Sequence, residues 1–230
     1  MNILKKIYYN KYTKKSFSLS GVDLVVDRIF KNTLNGIYVD IGCNHPIKYN
    51  NTYKLHKKGW KGINVDLDDE SIKQFKILRP KDHNICAVVS DKEEDTKIYF
   101  YHERSAINTI SEDLKNSRNS KPTKTFYKRS LTLEQIIDDS IYASSKINLL
   151  SIDVENYEYN ILKNFNFEKY KIDVIVVEIH DYKQEKLEIY NQSIEYVLNS
   201  NVYSLLTKNN YKMINWIQSD VIFVRNNFLL

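Results

Sequence analysis

Six short apolar runs, at about 36–41, 62–66, 84–89, 147–153, 172–179 and 220–225, are rich in β-branched residues, and most are apolar throughout rather than alternating with polar residues. Runs of that length suit strands, and apolar character on successive residues means burial on both faces, as in a parallel sheet covered by helices. The stretches between them carry helical spacing over 21–31, 50–58, 69–78, 132–139, 156–164 and 185–199. Strand and helix in alternation predict a doubly wound α/β sheet. The alternating segment Lys97-Ile98-Tyr99-Phe100-Tyr101 is expected to add a strand, and no internal repeat is visible.

Open sheets of this kind bind ligands at the carboxyl ends of their strands. Here the first run continues Asp40-Ile41-Gly42-Cys43-Asn44 and the second, Gly62-Ile63-Asn64-Val65-Asp66, ends in another acid. A glycine allows the sharp turn from strand to helix, and an acid roughly 20 residues on accepts both hydroxyls of a ribose. A dinucleotide site needs further glycines to cradle a pyrophosphate, whereas Gly42 is followed by Cys43-Asn44-His45-Pro46. That argues against NAD and FAD, and no Walker lysine is present. A nucleoside cofactor without phosphates, S-adenosylmethionine, fits the pattern.

The ordered stretches Tyr38–Asn44, Asn51-Thr52-Tyr53, Lys58–Ile63, Ala87–Asp91, Leu131-Thr132-Leu133, Leu149–Glu155 and Val177–His180 resemble the FkbM family of S-adenosylmethionine-dependent O-methyltransferases over about residues 16–225. The resemblance implies a class I, Rossmann-like methyltransferase fold with a mostly parallel seven-stranded sheet whose last strand is antiparallel. It also implies methyl transfer to a hydroxyl of a sugar, nucleotide-linked sugar, glycan or secondary metabolite. Three positions depart from the family pattern: Asp66 replaces a glutamate, Asn156 a glycine, and His45-Pro46 is unusual in the first loop.

For the cofactor, Asp40, Gly42 and Asn44 are expected at the amino-acid end, Asp66 at the ribose, and Asn84 and Cys86 near adenine. Ser20 and Asp23 are expected either to close over the methionine carboxylate or to cap the first helix. Residues two apart on a strand share a face, so Asp153 with Glu155 and Glu178 with His180 are expected to converge on the rim beside the methyl donor. Crowded carboxylates raise one another's pKa unless a cation intervenes. Three alternatives arise: a Mg2+ ion on Asp153, Glu178 and His180, metal-free proton removal by His180, or a purely structural cluster. On the acceptor side, Ser105, Asn108 and Thr109 lead into a polar, basic loop at about 111–130. Lys115 to Arg129 holds six cations without an acid, and with Tyr127 this segment is read as either an acceptor lid, for a substrate bearing phosphate, or a disordered loop.

At 230 residues with 42% hydrophobic content, one domain over 21–230 is expected after a basic 1–20 extension carrying Lys5, Lys6, Lys11, Lys14 and Lys15. Two cysteines in apolar runs suit free thiols in a reducing compartment. No membrane span or signal segment is evident, so the expected location is cytoplasmic. The net charge of +5 and 18 tyrosines motivate an RNA methyltransferase as an alternative. Against nucleic acid, the chain shows no appended RNA-binding motif and no base pocket of Asn-Pro-Pro-Tyr type. A non-catalytic binding module is the third reading, and the oligomeric state stays open.

Overall fold

The computed structural model describes residues 12–103, 105, 107–181 and 193–228. Among these, the strands are β1 (Ile37–Ile41), β2 (Lys61–Asp66), β3 (His83–Cys86), β4 (Val88–Val89), β5 (Asp95–Phe100), β6 (Lys124–Leu131), β7 (Leu149–Ile152), β8 (Val174–Glu178), β9 (Tyr211–Ile217) and β10 (Asp220–Arg225). The helices are α1 (Val22–Ile29), α2 (Tyr53–His56), α3 (Asp69–Leu78), α4 (Glu112–Ser117), α5 (Leu133–Asp138), α6 (Glu158–Leu162), α7 (Phe167–Tyr170), α8 (Ile194–Leu198) and α9 (Asn201–Lys208). Seven strands form one sheet in the order β3-β2-β1-β7-β8-β10-β9. β10 runs antiparallel to β8 and β9, while β1, β2, β3, β7 and β8 pair in parallel. This is the expected class I methyltransferase sheet with its antiparallel last strand.

Alternation along each strand explains why both faces are buried. Val39 and Ile41 of β1 pack with Ile63, Val65, Leu150 and Ile175 on one side. Tyr38, on the opposite face of the same strand, packs with Leu149, Val174, Val176 and Ile222. Each such side chain contributes roughly 1.5–3 kcal/mol of burial. Side-chain caps fix the helix starts: Asp68 accepts from the amides of Glu70 and Ser71 at α3, and Thr132 with Gln135 forms a capping box at α5.

Several expectations change. The run at 84–89 divides, with His83–Cys86 in the large sheet and Val88–Val89 in a second sheet of order β4-β6-β5. Residues 111–130 are not one loop: they contain α4 and β6, and β6 pairs antiparallel with β5. β9 and α9 were not expected from the sequence. Part of the 185–199 helix lies outside the described residues, as does the basic extension before residue 12. The segment just after residue 12 is tied to the domain, since Asn50 donates its amide to the Phe17 carbonyl at 3.1 Å and the Phe17 and Tyr53 rings pack edge to face. No described helix is long and apolar enough to cross a membrane, and both cysteines are free.

Candidate active site

A cleft of about 220 Å³ opens at the carboxyl ends of β1, β2, β7 and β8. Its floor is the turn after β1. Gly42 sits at φ +76°, where the amides of Gly42 and Cys43 both donate to the Val65 carbonyl, at 2.9 and 3.1 Å. The Asp153 amide donates to the Ile41 carbonyl at 3.0 Å, so the ends of β2, β1 and β7 are bonded into one unit. Asp66 lines the cleft, and its two carboxylate oxygens accept the amides of Asn44 and Asp68, each at 2.8 Å. Burial raises its pKa to about 6 although both amide bonds oppose the rise.

Other residues expected at the cofactor lie behind this floor. Asp40 is not among the cleft's lining: its carboxylate is buried and accepts from Asn50 Nδ2 at 3.0 Å and Thr52 Oγ1 at 2.7 Å. Arg79 completes that layer, fully buried, donating to Thr52 Oγ1, Asn50 Oδ1 and the Pro46 carbonyl at 2.9, 2.7 and 2.6 Å. Asn84 joins the same layer by accepting from Asn64 Nδ2 at 2.8 Å and donating to the Arg79 carbonyl at 3.0 Å. Cys86 Sγ accepts from Lys128 Nζ at 3.0 Å, also off the lining, and the apolar wall there is Ala87-Val88-Val89. Asp23 neither lines the cleft nor caps its own helix. It holds Ser16, the Phe17 amide and Ser18 at 2.6, 2.8 and 3.0 Å. Ser20 donates to Asp220 Oδ2.

The acids do converge, in a different set from the one expected. Asp153, Glu155 and Glu178 line the cleft, together with Asp220. The antiparallel β10 begins where β8 ends, so Asp220 stands opposite Glu178 in register. Glu158, from the first turn of α6, brings a carboxylate oxygen within 4.8 Å of those of Asp153 and Glu178, and it accepts the Val154 amide at 2.8 Å. His180 is outside this group and off the lining, its carbonyl accepting from the Tyr196 hydroxyl at 3.0 Å. Of the expected ligand set Asp153, Glu178 and His180, two acids come together, and the third oxygen within 4.8 Å of them is that of Glu158 rather than a nitrogen of His180.

Desolvation between the strand ends, and then Glu178, push Asp153 above the usual carboxylate range, although its side chain opens to the cleft. The same two causes raise Glu155 and Glu158 to about 8, and burial raises Asp220 to about 7. A carboxyl whose folded pKa is raised stabilises the fold below its unfolded value and loses that contribution as pH climbs through the folded value. The ligand-free protein is therefore expected to lose melting temperature between about pH 5 and pH 8, through the groups with values of about 7 and about 8. Calorimetric scans across that range check this, and a melting temperature rising with pH contradicts the cluster's protonation.

On the acceptor side Ser105, Asn108 and Thr109 line the cleft as expected. Tyr127 does not: it is 67% exposed on β6, paired with Lys97 of β5. Tyr49 and Asn51 were missed, as was Asp220, which in sequence is an ordinary turn residue after Gln218-Ser219.

The family described as the Methyltransferase FkbM domain matches residues 40–213. No curated protein matches the chain. Among solved structures, a TehB-like SAM-dependent methyltransferase from Corynebacterium glutamicum is similar at 11% identity, with a TM-score of 0.42 over 96% of this chain and 95% of that one. The 16S rRNA methylase ArmA is similar at 11% identity, with a TM-score of 0.39 over 97% of each chain.

Proposed function

Because the chain belongs to the FkbM methyltransferase family, we propose that it transfers the methyl group of S-adenosylmethionine to a hydroxyl of a sugar, nucleotide-linked sugar, glycan or secondary metabolite. The observation that carries the cofactor is the cleft lining: Asp66, Asp153, Glu155, Glu178 and Asp220, with no lysine, arginine or histidine among the described residues. A pyrophosphate would find no counter-charge on this lining, so it is poorly suited here. A ligand carrying a sulfonium and an ammonium is well suited. Asp66 keeps lone pairs free on two oxygens already oriented by the Asn44 and Asp68 amides, and these would hold the ribose diol. At Gly42 the absence of a side chain lets the turn after β1 lie directly against the Asp153 backbone, which shapes the floor of the cleft.

S-adenosylmethionine supplies an electrophilic methyl group, which leaves the protein to position the acceptor and take a proton. We assign that proton to Asp153, which lines the cleft beside Gly42 and is ionised once the cofactor's positive charge stands next to it. Glu178 and Asp220 orient the hydroxyl from β8 and β10. An acceptor phosphate would have to lie beyond the acid lining, toward the cationic α4–β6 segment, and the same want of a cation disfavours an RNA backbone at the transfer point.

Titration calorimetry with S-adenosylmethionine tests the reading. Asp66→Ala removes charge-assisted hydrogen bonds worth roughly 1.5–3 kcal/mol, so affinity is expected to fall by about 10- to 150-fold. An unchanged affinity refutes the assignment. Asp153→Asn, assayed at saturating cofactor, is expected to slow tritiated-methyl transfer to wild-type acceptors by roughly 10²- to 10⁴-fold. A panel of sugar nucleotides, glycans and RNA identifies those acceptors, and labelling of RNA alone would overturn the substrate class.

A further inference from the structure

We infer that Arg118 is a positioning residue for methyl transfer, latching the acceptor-side wall of the cleft to the acid-bearing loop after β7. The inference rests on the proposed methyltransferase function. Arg118 follows α4, in the segment expected to be a loop, and its guanidinium touches three separate parts of the chain. Nη1 donates to the Ile107 carbonyl and Nη2 to Glu155 Oε2, both at 2.5 Å, and the group lies 5.5 Å from the centroid of the Tyr101 ring. The pair is largely sheltered, with side-chain exposures of 15% for Arg118 and 19% for Glu155.

The latch holds an unusual piece of backbone. Glu155 at φ +59° and Asn156 at φ +69° are consecutive left-handed residues, and neither is glycine. Side-chain-bearing residues keep that conformation where their surroundings impose it, and such outliers gather at functional sites. Two contacts impose it here. Arg118 fixes the Glu155 side chain, and Thr109 Oγ1 donates to the Glu155 carbonyl at 3.1 Å. Thr109 is itself anchored on β5 by paired backbone bonds with Tyr99, at 2.9 and 3.2 Å. Ser105, Asn108 and Thr109 on one wall and Asp153 and Glu155 on the other therefore keep a fixed separation. The cofactor-side contacts of Asp66 and Gly42 do not include Arg118. Lysine cannot replace the fork, because one ammonium on a flexible stem cannot bridge Ile107 and Glu155 while covering a ring.

Arg118→Ala, Arg118→Lys and Thr109→Val separate this role from general support of the fold. Hydrogen–deuterium exchange is followed in the intact protein with and without S-adenosylmethionine, alongside calorimetric affinity for that cofactor. In Arg118→Ala, exchange over 105–118 and 153–157 is expected to quicken at least tenfold, while exchange in β1 to β3 and cofactor affinity stay within about threefold of wild type. Arg118→Lys is expected to restore less than half of the protection, and Thr109→Val to loosen 153–157 alone. Unchanged exchange in Arg118→Ala, or full protection in Arg118→Lys, overturns the latch. If the wild-type protein does not bind S-adenosylmethionine, the functional reading fails while the exchange data still decide whether the latch exists.

Discussion

Arg79→Met is expected to lower the free energy of unfolding by roughly 3–5 kcal/mol, the usual consequence of removing one partner from a buried charge network. The guanidinium is fully buried, with Nε and Nη2 both on the Pro46 carbonyl, at 3.1 and 2.6 Å. Methionine is apolar and of similar length, so packing alone would make the exchange nearly neutral. The acids decide otherwise. Asp40 is pushed up by burial and held down chiefly by Arg79. Asp82 accepts from Tyr38, from the Gly62 amide at 3.3 Å and from Asn64 Nδ2 at 3.0 Å in the same layer. Without the arginine Asp40 is left buried without the cation that holds it down, or must take up a proton. Since domains are stable by roughly 5–15 kcal/mol, the loss is a large fraction of the total. Urea denaturation reads it as a lower midpoint at constant slope. Adding Asp40→Asn and Asp82→Asn to Arg79→Met is expected to recover part of the loss, and a single-variant effect below about 1 kcal/mol would mean that the charge network contributes little. The layer matters to the cleft because Arg79 holds Pro46 and Asn50, on either side of Tyr49, in the loop that also carries Asn44 and Asn51.

The central strands were legible because parallel strands buried on both faces are mostly apolar, as β8 is up to its final Glu178, with only Asp40, Asn64 and Ser151 as buried polar interruptions in β1, β2 and β7. β6 is covered on one side only. In β6 the inward Phe126 packs against Ile98 and Phe100, but Lys124, Lys128 and Arg129 dilute the pattern until it reads as a polar loop. β9 is an edge strand with Lys212 and Asn215 inside it. Among the site residues, Gly42 and Asp66 stood out because a sharp turn and a diol acceptor each constrain one residue type. Asp40 ends an apolar run just as Asp66 does, yet it belongs to the strand face of Tyr38 and turns away from the cleft. His180 was placed by strand parity from Glu178, but β8 stops at Glu178 and parity ends with it. Asp220 and Glu158 reach the acid cluster through an antiparallel pairing and a helix start, neither of which local spacing reports.

Gly42→Ala is expected to abolish measurable S-adenosylmethionine binding, and the reason lies in backbone rather than side chains. A Cβ on residue 42 would stand 1.7 Å from the Asp153 carbonyl oxygen and 2.8 Å from its carbon. No rotamer relieves a clash between two main chains, so the end of β7 has to move away from the turn after β1. That movement breaks the bond from the Asp153 amide to the Ile41 carbonyl and displaces Asp153 relative to Asp66. A displacement of about 1 Å at a reacting site is enough to cost roughly 10²-fold, and the left-handed backbone adds about 1–2 kcal/mol of strain in the folded protein. Gly21 provides the control. It has φ +88°, so alanine meets the same backbone strain, yet nothing lies within 4 Å of the added carbon. Gly21→Ala is expected to melt a few degrees lower and bind the cofactor as wild type does. Calorimetry on both variants therefore separates strain from displacement, and equal affinities in the two would show that the close contact between β1 and β7 does not shape the cofactor site.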